Sequence, residues 1–263
     1  RFPVYQTTER PDRAAQAILE GRVVLLTDNS PEALIFPATL NSLFQTADDY
    51  YRNERIVTFL RLIRYVAAFL ALALPGLYVA AATFHPQLLP GNLIRSMAEA
   101  RSGVPFPTAA EVLLMELSFE LLREAGLRMP GPAGNTIGIV GGLIVGQAAV
   151  SANLVSPITV TVAALTALGS FSIPNEELSE VFRLWKYGIL LLGSCFGILG
   201  VMLGCFLLLM LMAEQESYGI PWLYPYVGGN LNERADEKDS MFLAAARKRK
   251  RRPIFAKWGN RIR

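Results

Sequence analysis

Charged residues are scarce in this sequence, and so are cysteine and histidine. Of its 263 residues, 18% are Asp, Glu, Lys or Arg, whereas soluble domains average about 25%. The two cysteines, Cys195 and Cys205, lie in one apolar run, which excludes a disulfide framework and a zinc-binding spacing. The P-loop, nucleophile-elbow, zinc-protease and CxxC patterns are also missing. We therefore expect no enzyme activity, no cofactor and no metal site.

Long stretches without any charged residue dominate the middle of the chain. Asp, Glu, Lys and Arg are missing from residues 65–94, 129–175 and 187–213. A charge at the centre of a membrane span costs about 2.5 to 3.5 kcal/mol on the insertion scale, so such windows are typical of membrane helices. About 20 apolar residues suffice for one span. The pattern predicts four spans: residues 65–84, two within 129–175 with a turn at 151–157, and 187–213.

Basic residues flank this apolar region at both ends. Four arginines precede the first span, and the segment from residue 247 onward holds nine Lys or Arg residues and no acid. Because positively charged flanks stay in the cytoplasm, we expect both termini to be cytoplasmic, which requires an even number of spans. The basic run follows a span closely, so we expect it to contact anionic membrane lipid and not nucleic acid.

The first 51 residues have the pattern of a soluble α/β segment. Pro11 begins a predicted helix that ends at Gly21, and predicted strands follow at 22–27 and 33–36. This piece is too small for a core of its own, and the chain starts with Arg1 and not methionine, so we expect it to complete a domain of a longer protein. The predicted domains are 1–51, the end of a cytoplasmic α/β domain; 52–227, a helical membrane domain; and 228–263, a basic cytoplasmic tail.

One further predicted helix is amphipathic. Residues 108–125 place leucines on one stripe and Glu116, Glu120 and Glu124 on another. Several carboxylates facing lipid would carry a high free-energy cost. We therefore expect this helix to lie at the membrane–water interface or to border a water-filled path, and not to form a fifth span. The acidic stripe predicts either a cation-concentrating pore mouth at Glu116 and Glu120 or a solvated face paired with nearby arginines.

These patterns together predict a mainly α-helical integral membrane protein. Its expected parts are about four transmembrane helices plus an amphipathic helix, with a partial α/β cytoplasmic piece at the N-terminus. Glycines spaced by four residues also occur in two of the apolar runs, and such spacing lets helices approach closely in lipid. We interpret these glycines as helix-packing positions, with a gating hinge as the alternative. They are Gly134, Gly138, Gly142, Gly146, Gly193 and Gly197.

Small polar side chains interrupt two neighbouring apolar runs. Gln147 and Ser151 lie four residues apart in the first run, and Thr159, Thr166 and Ser170 form a stripe in the second. Polar groups in hydrocarbon need partners or water. Gln147 and Ser151 therefore fit either pore lining or interhelical hydrogen bonding, and the stripe fits either pore lining or packing against neighbouring helices. We predict all five as pore-lining positions.

Nine short motifs occur in an order and spacing that are specific together although each is weak alone. They are TERPD at 8–12, LEGRV at 19–23, DNSP at 28–31, DYY at 49–51, VPFP at 104–107, FELLREAG at 119–126, GQAAV at 146–150, VSP at 155–157 and SFSIP at 170–174. On these motifs, residues 3–226 resemble the A subunits of GerA-type spore germination receptors.

The resemblance implies a subunit of a nutrient germinant receptor in the inner spore membrane. Such A subunits are expected to form a homo-oligomer, a pentamer, that opens as a nutrient-gated cation channel. The implied partners are a transporter-like B subunit, which senses the nutrient, and a lipoprotein C subunit. A paralogue of the stage V sporulation AF type shares the motifs and implies an auxiliary channel that amplifies germination. A secondary transporter and a non-conducting scaffold are the further alternatives.

Overall fold

The computed structural model describes residues 2–128, 132–227, 239–244 and 255. In these ranges the chain is mostly helical with two small antiparallel sheets. The helices are α1 (Pro11–Leu19), α2 (Leu40–Phe44), α3 (Glu54–Thr83), α4 (Gly91–Arg101), α5 (Thr108–Leu127), α6 (Pro132–Ser151), α7 (Pro157–Phe171) and α8 (Glu176–Glu214), with short 3₁₀ turns at Ala47–Tyr50 and Pro86–Leu88. The strands are β1 (Gln6–Thr8), β2 (Val23–Leu25), β3 (Ala33–Phe36), β4 (Glu216–Ser217) and β5 (Ile220–Pro221).

The chain folds as two compact units. The first, which we call the sheet unit, comprises the described residues of 1–68, 171–181 and 207–263. The second, which we call the helical unit, comprises those of 69–170 and 182–206. The predicted boundaries at 51 and 227 therefore differ from the boundaries of these units, because both α3 and α8 begin in the sheet unit.

The sheet unit is built on an antiparallel sheet of order β1-β3-β2. Pro11 opens α1 with Asp12 in its first turn, as predicted, and Gly21 follows the helix with a φ of 89° that favours glycine. The predicted strands at 22–27 and 33–36 are β2 and β3. Strand β1 was not predicted, since its three residues, Gln-Thr-Thr, carry no apolar alternation.

Residues far along the chain complete the sheet unit. The side chain of Trp222 is fully buried, and its indole N–H donates to the Pro3 carbonyl at 2.8 Å. The Ser217 hydroxyl donates to the Val4 carbonyl at 2.7 Å. The backbone carbonyl of Asp239 accepts from the amides of both Asn41 and Gln45, at 3.0 and 2.7 Å. Residues 239–244, within the part predicted as a basic cytoplasmic tail, thus belong to a folded unit, and the tail assignment itself stays a prediction.

A buried charge cluster lies where α3 begins. We call it the Asp49 cluster: Asp49, Arg61, Arg64 and Asp239. Arg61 is 1% exposed and bonds the carboxylate of Asp49 at 3.1 Å and that of Asp239 at 3.0 Å, while Arg64 donates twice to Asp49. Two of the arginines expected to flank a membrane span are therefore held inside the sheet unit.

The helical unit contains the predicted turn between two apolar helices. Helix α6 ends at Ser151 and α7 begins at Pro157, and Asn153 in the turn adopts a left-handed φ of 53°, which asparagine tolerates. Proline is favoured at the first position of a helix because it has no N–H to leave unpaired.

The last apolar run departs from its prediction as one span. The backbone of α8 breaks at Gly197, where φ is 64° and ψ is −143°, and the chain turns back on itself. A Cβ at Gly200 would lie 2.0 Å from the carbonyl oxygen of Leu192, and one at Gly204 would lie 2.9 Å from the side chain of Ile189. The prediction of a single span at 187–213 is wrong, because residues on opposite sides of Gly197 pack together. We call residues 176–214 the α8 hairpin.

Among the described residues, one helix is both long and apolar enough to cross a membrane. It is Glu54–Thr83, with a mean hydropathy of 1.9. Pro157–Phe171 and Ile198–Glu214 are apolar but shorter. The count of four spans stays a prediction.

Candidate functional site

The inner face of α5 presents a row of carboxylates, and the first of them caps α7. Glu111 is fully buried. One oxygen accepts from the Arg101 guanidinium at 3.1 Å, and the other accepts from the backbone N–H of Ser156 at 3.0 Å and the hydroxyl of Thr159 at 3.1 Å. The N–H groups at a helix start lack partners within the helix, so Glu111 satisfies one of them and places a negative charge where the helix dipole favours it.

The second carboxylate forms a buried ion pair with α8. Glu116 Oε2 accepts from Lys186 Nζ at 2.6 Å, and both side chains are more than nine-tenths buried. The other oxygen, Oε1, has no hydrogen-bond partner among the described residues. Removing two charges from water costs several kcal/mol per ion, which their attraction repays only with good geometry and further hydrogen bonds. The attraction between Glu116 and Lys186 therefore offsets only part of the desolvation free energy of the pair.

The acidic row continues with a second contact to α8. Glu120 pairs with Arg183, so two carboxylates four residues apart on α5 meet two cations three residues apart on α8. Because the residue numbers run in opposite directions, the two helices are antiparallel here. Beyond them, Glu124 pairs with Arg128 on the same helix, and both side chains are more than half exposed.

Three of the predicted pore-lining residues lie inside the chain. Thr159 and Thr166 are fully buried, and Ser170 is 7% exposed. Thr159 contacts Glu111 as described, while Thr166 and Ser170 donate their hydroxyls to backbone carbonyls of their own helix. In this arrangement the stripe on α7 faces protein groups and forms hydrogen bonds.

The other two predicted pore-lining residues are exposed. Gln147 and Ser151 both present their side chains to the surface of the chain, at the C-terminal end of α6. The predicted pore-mouth residues, Glu116 and Glu120, are instead paired with α8. The assignment of all seven residues to a pore stays a prediction.

Glycines bring α6 close to its neighbours. A Cβ at Gly142 would lie 3.2 Å from the Phe119 ring of α5, and one at Gly146 would lie 3.2 Å from Val160 of α7. The surroundings of Gly134 and Gly138 lie outside the described residues. In the α8 hairpin, a Cβ at Gly193 would lie 2.9 Å from Val201, and Gly197 forms the turn itself. At each of these described positions a Cβ would be closer to its neighbour than ordinary van der Waals contact, so the absence of a side chain allows the helices to approach closely.

Comparison with known proteins decides the family. The family model described as "Bacillus/Clostridium GerA spore germination protein" matches residues 1–255. The chain belongs to the GerA family. No solved structure matches it.

Several curated relatives are similar over most of this GerA chain. It is 43% identical over 244 residues to the uncharacterized membrane protein YfkQ of Bacillus subtilis, covering 93% of this chain and 47% of that protein. It is 42% identical over 224 residues to spore germination protein GerLA of Bacillus cereus and to spore germination protein A1 of Bacillus subtilis, in each case covering 85% of this chain and 46% of the relative. The chain thus spans about half the length of the relatives it matches.

Sequence reasoning missed the cations that partner the acidic row of this GerA chain. In the sequence, Lys186 only borders an apolar run, and no local pattern indicates Arg101 or Arg183 as partners of α5. The sequence does contain one indication of this pairing: α5 and residues 183–186 carry opposite charges beside apolar segments, where charged side chains need partners. Charge alone did not tell which acid meets which base, because the pairing depends on the antiparallel packing of α5 and α8.

Proposed function

We propose that this chain is the membrane-embedded half of an A subunit of a nutrient germinant receptor, and that it forms an oligomeric cation channel in the inner spore membrane. Membership of the GerA family and the names of its relatives support the germination role. The channel, the pentamer, the transporter-like B subunit and the lipoprotein C subunit rest on the resemblance. Nutrient bound elsewhere in the receptor would favour the open state through its differential affinity for two conformations.

One observation carries the channel proposal. Gln147 and Ser151 are exposed one helical turn apart in a 47-residue segment, 129–175, without any charge. Ser151 is the last residue of α6, at the membrane surface in a crossing helix, whereas Gln147 lies one turn inside it. An amide facing hydrocarbon would lack hydrogen-bond partners, and a hydrated path between neighbouring copies would satisfy it. The exposed end of α6 is therefore our preferred pore-lining surface.

The test compares two substitutions in the reconstituted receptor complex. Gln147→Leu removes the amide from the proposed pore and should change nutrient-triggered cation flux several-fold. Thr161→Val is the matched control, since Thr161 is exposed on α7 but donates its hydroxyl to the Pro157 carbonyl, and its flux should equal that of the wild type. Unchanged flux in Gln147→Leu would count against the proposed pore surface.

The α8 hairpin leads to a revised membrane topology, which we include in the proposal. A Cβ at Gly197 would lie 3.0 Å from His85 and 3.1 Å from Phe84, so the turn of the hairpin reaches the level at which α3 ends. If α3 crosses the membrane, α8 crosses it outward and returns. The residues just before 69 and just after 170 both belong to the sheet unit. Because that unit lies on one side of the proposed membrane, segment 69–170 must cross the membrane an even number of times. Helices α3, α5, α6 and α7 provide four crossings once α5 is counted.

Counting α5 as a span reverses our sequence-based expectation for it. The objection was that its carboxylates would face lipid. Glu111, Glu116 and Glu120 all have cationic partners within the helical unit, so these three carboxylates do not face lipid unpaired. The revised topology has six crossings and keeps both termini on the cytoplasmic side.

The two native cysteines test this topology. Cys195 is exposed and lies two residues before the turn at Gly197, whereas Cys205 lies within the returning helix. In oriented vesicles, a membrane-impermeant maleimide added from the outer side should label Cys195 and spare Cys205. If residues 187–213 formed one straight span, both cysteines would be embedded in lipid and neither would react.

A secondary transporter is the second candidate. Substrate sites of transporters are commonly formed by discontinuous helices near the bilayer midplane, whereas the break at Gly197 lies beside the end of α3 and therefore does not favour this candidate. Substrate-driven counterflow in proteoliposomes would support this candidate, whereas a channel produces flux without exchange.

A further inference from the structure

The sheet unit contains a small polar cavity outside the region proposed for conduction. Its volume is about 50 Å³, and it is open to solvent on one side. That is room for more than one water molecule. The residues that matter for its chemistry are Glu20, Arg22, Asn41, Gln45, Tyr50 and Asp239.

Most polar groups around the cavity already have hydrogen-bond partners. The Asp239 carboxylate accepts from Arg61 and from the hydroxyl of Tyr50, each at 3.0 Å. The amides of Asn41 and Gln45 both donate to the Asp239 backbone carbonyl. Acceptors in the wall are therefore already occupied, so a bound cation would have to displace existing donors.

Arg22 is the exception. Its side chain is 95% buried, since its relative exposure is 5%, and its Nε has no hydrogen-bond partner among the described residues. The nearest carboxylate oxygen, Glu20 Oε2, is 3.4 Å away in a geometry that makes no hydrogen bond. Glu20 also accepts from the amide of Gln16 at 2.9 Å.

The other side of the Arg22 guanidinium is covered by an aromatic ring. Its central carbon lies 4.3 Å from the centroid of Phe255. This stacking covers one face of the guanidinium and supports its charge. Burial lowers the pKa of Arg22 more than the charge of Glu20 raises it, so the surrounding protein compensates the cation incompletely.

We propose that this cavity binds a small oxyanion, a carboxylate or a phosphate group, through the guanidinium of Arg22. An oxyanion would supply a hydrogen-bond acceptor for the guanidinium, whose Nε has none among the described residues, and a second negative charge beside Glu20. Charge-assisted hydrogen bonds from arginine to such groups are among the strongest in proteins. Because Asp239 and Phe255 both border the cavity, a bound anion also contacts the C-terminal part of the sheet unit.

The experiment uses the full-length protein in detergent. Its melting temperature is measured against increasing inorganic phosphate in one arm and acetate in the other, with chloride at matched ionic strength as the reference. The expected result is a saturable rise in melting temperature with phosphate, acetate or both, but not with chloride. An equal response to all three salts would overturn the proposal and leave water as the occupant of the cavity.

Two variants make the test specific. Arg22→Gln should weaken the apparent affinity at least tenfold, the effect expected for loss of a charged hydrogen bond. Arg10→Gln is the matched control, since Arg10 is an exposed arginine of the same unit, and it should respond like the wild type. Glu20→Gln removes the competing carboxylate and should tighten binding several-fold, which provides a test even if Arg22→Gln fails to fold. Wild-type affinity in both cavity variants would refute the assignment.

Discussion

The sheet unit and the helical unit both bury ion pairs, but they partner them differently. In the Asp49 cluster, Asp49 accepts from Arg61, from Arg64 and from the hydroxyl of Thr46. In the helical unit, Glu116 has Lys186 as its side-chain partner and one oxygen without any described partner. The first arrangement gives the Asp49 carboxylate several donors and gives Arg61 several acceptors, although Arg61 Nη2 has no partner among the described residues, and it acts as a cross-link. The second balances one charge against another, so its contribution depends on both members being present.

The largest expected effect comes from breaking the cross-link. Arg61→Met removes a 1% exposed cation that joins Asp49, Asp239 and the Ser240 carbonyl. Removing one member of a buried ionic group costs about 3 to 5 kcal/mol. The free energy of unfolding of the detergent-solubilised full-length protein should fall by that amount. Arg10→Met, at an exposed pair, should leave it near the wild-type value because solvent screens such pairs; equal effects would contradict the distinction.

The second prediction concerns the isolated pair of the helical unit. Glu116→Leu and Lys186→Met each leave a buried charge uncompensated and should each destabilise the protein by about 3 kcal/mol. The double variant removes both charges and should recover most of that loss. A double variant as unstable as the sum of the singles would show that the two charges are not coupled, which would contradict the prediction. The same double replacement of Asp49 and Arg61 should not recover stability, because Arg64 and Asp239 would remain.

A third, smaller effect tests how closely the helices of the helical unit approach one another. Gly200→Ala places a Cβ 2.0 Å from the Leu192 carbonyl oxygen, so the hairpin must open. Overpacking of this kind costs about 1 to 3 kcal/mol. Gly188→Ala, where a Cβ meets nothing within 4 Å, is the control and should be neutral or slightly stabilising. A loss of stability in both variants would indicate a general effect of helix glycines, whereas a loss in neither would contradict the hairpin.

The smallest expected effect is the pH dependence of the Asp49 cluster. Burial raises the pKa of the Asp49 carboxyl, but the hydrogen bond and charge of Arg64 outweigh it, and the net pKa lies below 3.8, the value for an unperturbed aspartate. A carboxyl with a lowered folded-state pKa stabilises the fold above its unfolded pKa and loses that contribution as the pH falls through the folded value. The stability difference between the wild type and Asp49→Asn should therefore be constant near neutral pH and shrink below pH 3.8. A difference that does not change down to pH 3 would contradict this.

Local patterns predicted the local elements well. The start of α1 at Pro11, the strand Ala33–Phe36 and the turn before Pro157 follow from proline geometry, β-branched residues and the return of polarity. Each of these signals depends on residues that are neighbours along the chain, so the local sequence is enough to predict the element.

The features that sequence reasoning missed all depend on distant contacts. The reversal at Gly197 was hidden because an uninterrupted apolar run has the same composition whether it is straight or folded back. Glycine permits the left-handed φ found there, but other glycines of the same run stay helical. The partners of Glu111, Glu116 and Glu120 likewise became visible only once the neighbours of α5 were known. The cavity at Arg22 needed residues from both ends of the chain.

The hydrogen bond from Trp222 to Pro3 joins residues 219 positions apart, which has a consequence for synthesis. The early strands leave the ribosome long before residues 217–222, and all the apolar helices emerge in between. If those helices span a membrane as proposed above, the sheet unit closes only after they have been inserted. Until then, the nascent polypeptide must shield the exposed edge of β1 and the site that Trp222 later fills, and a chaperone that holds this intermediate would be expected to act after insertion has begun.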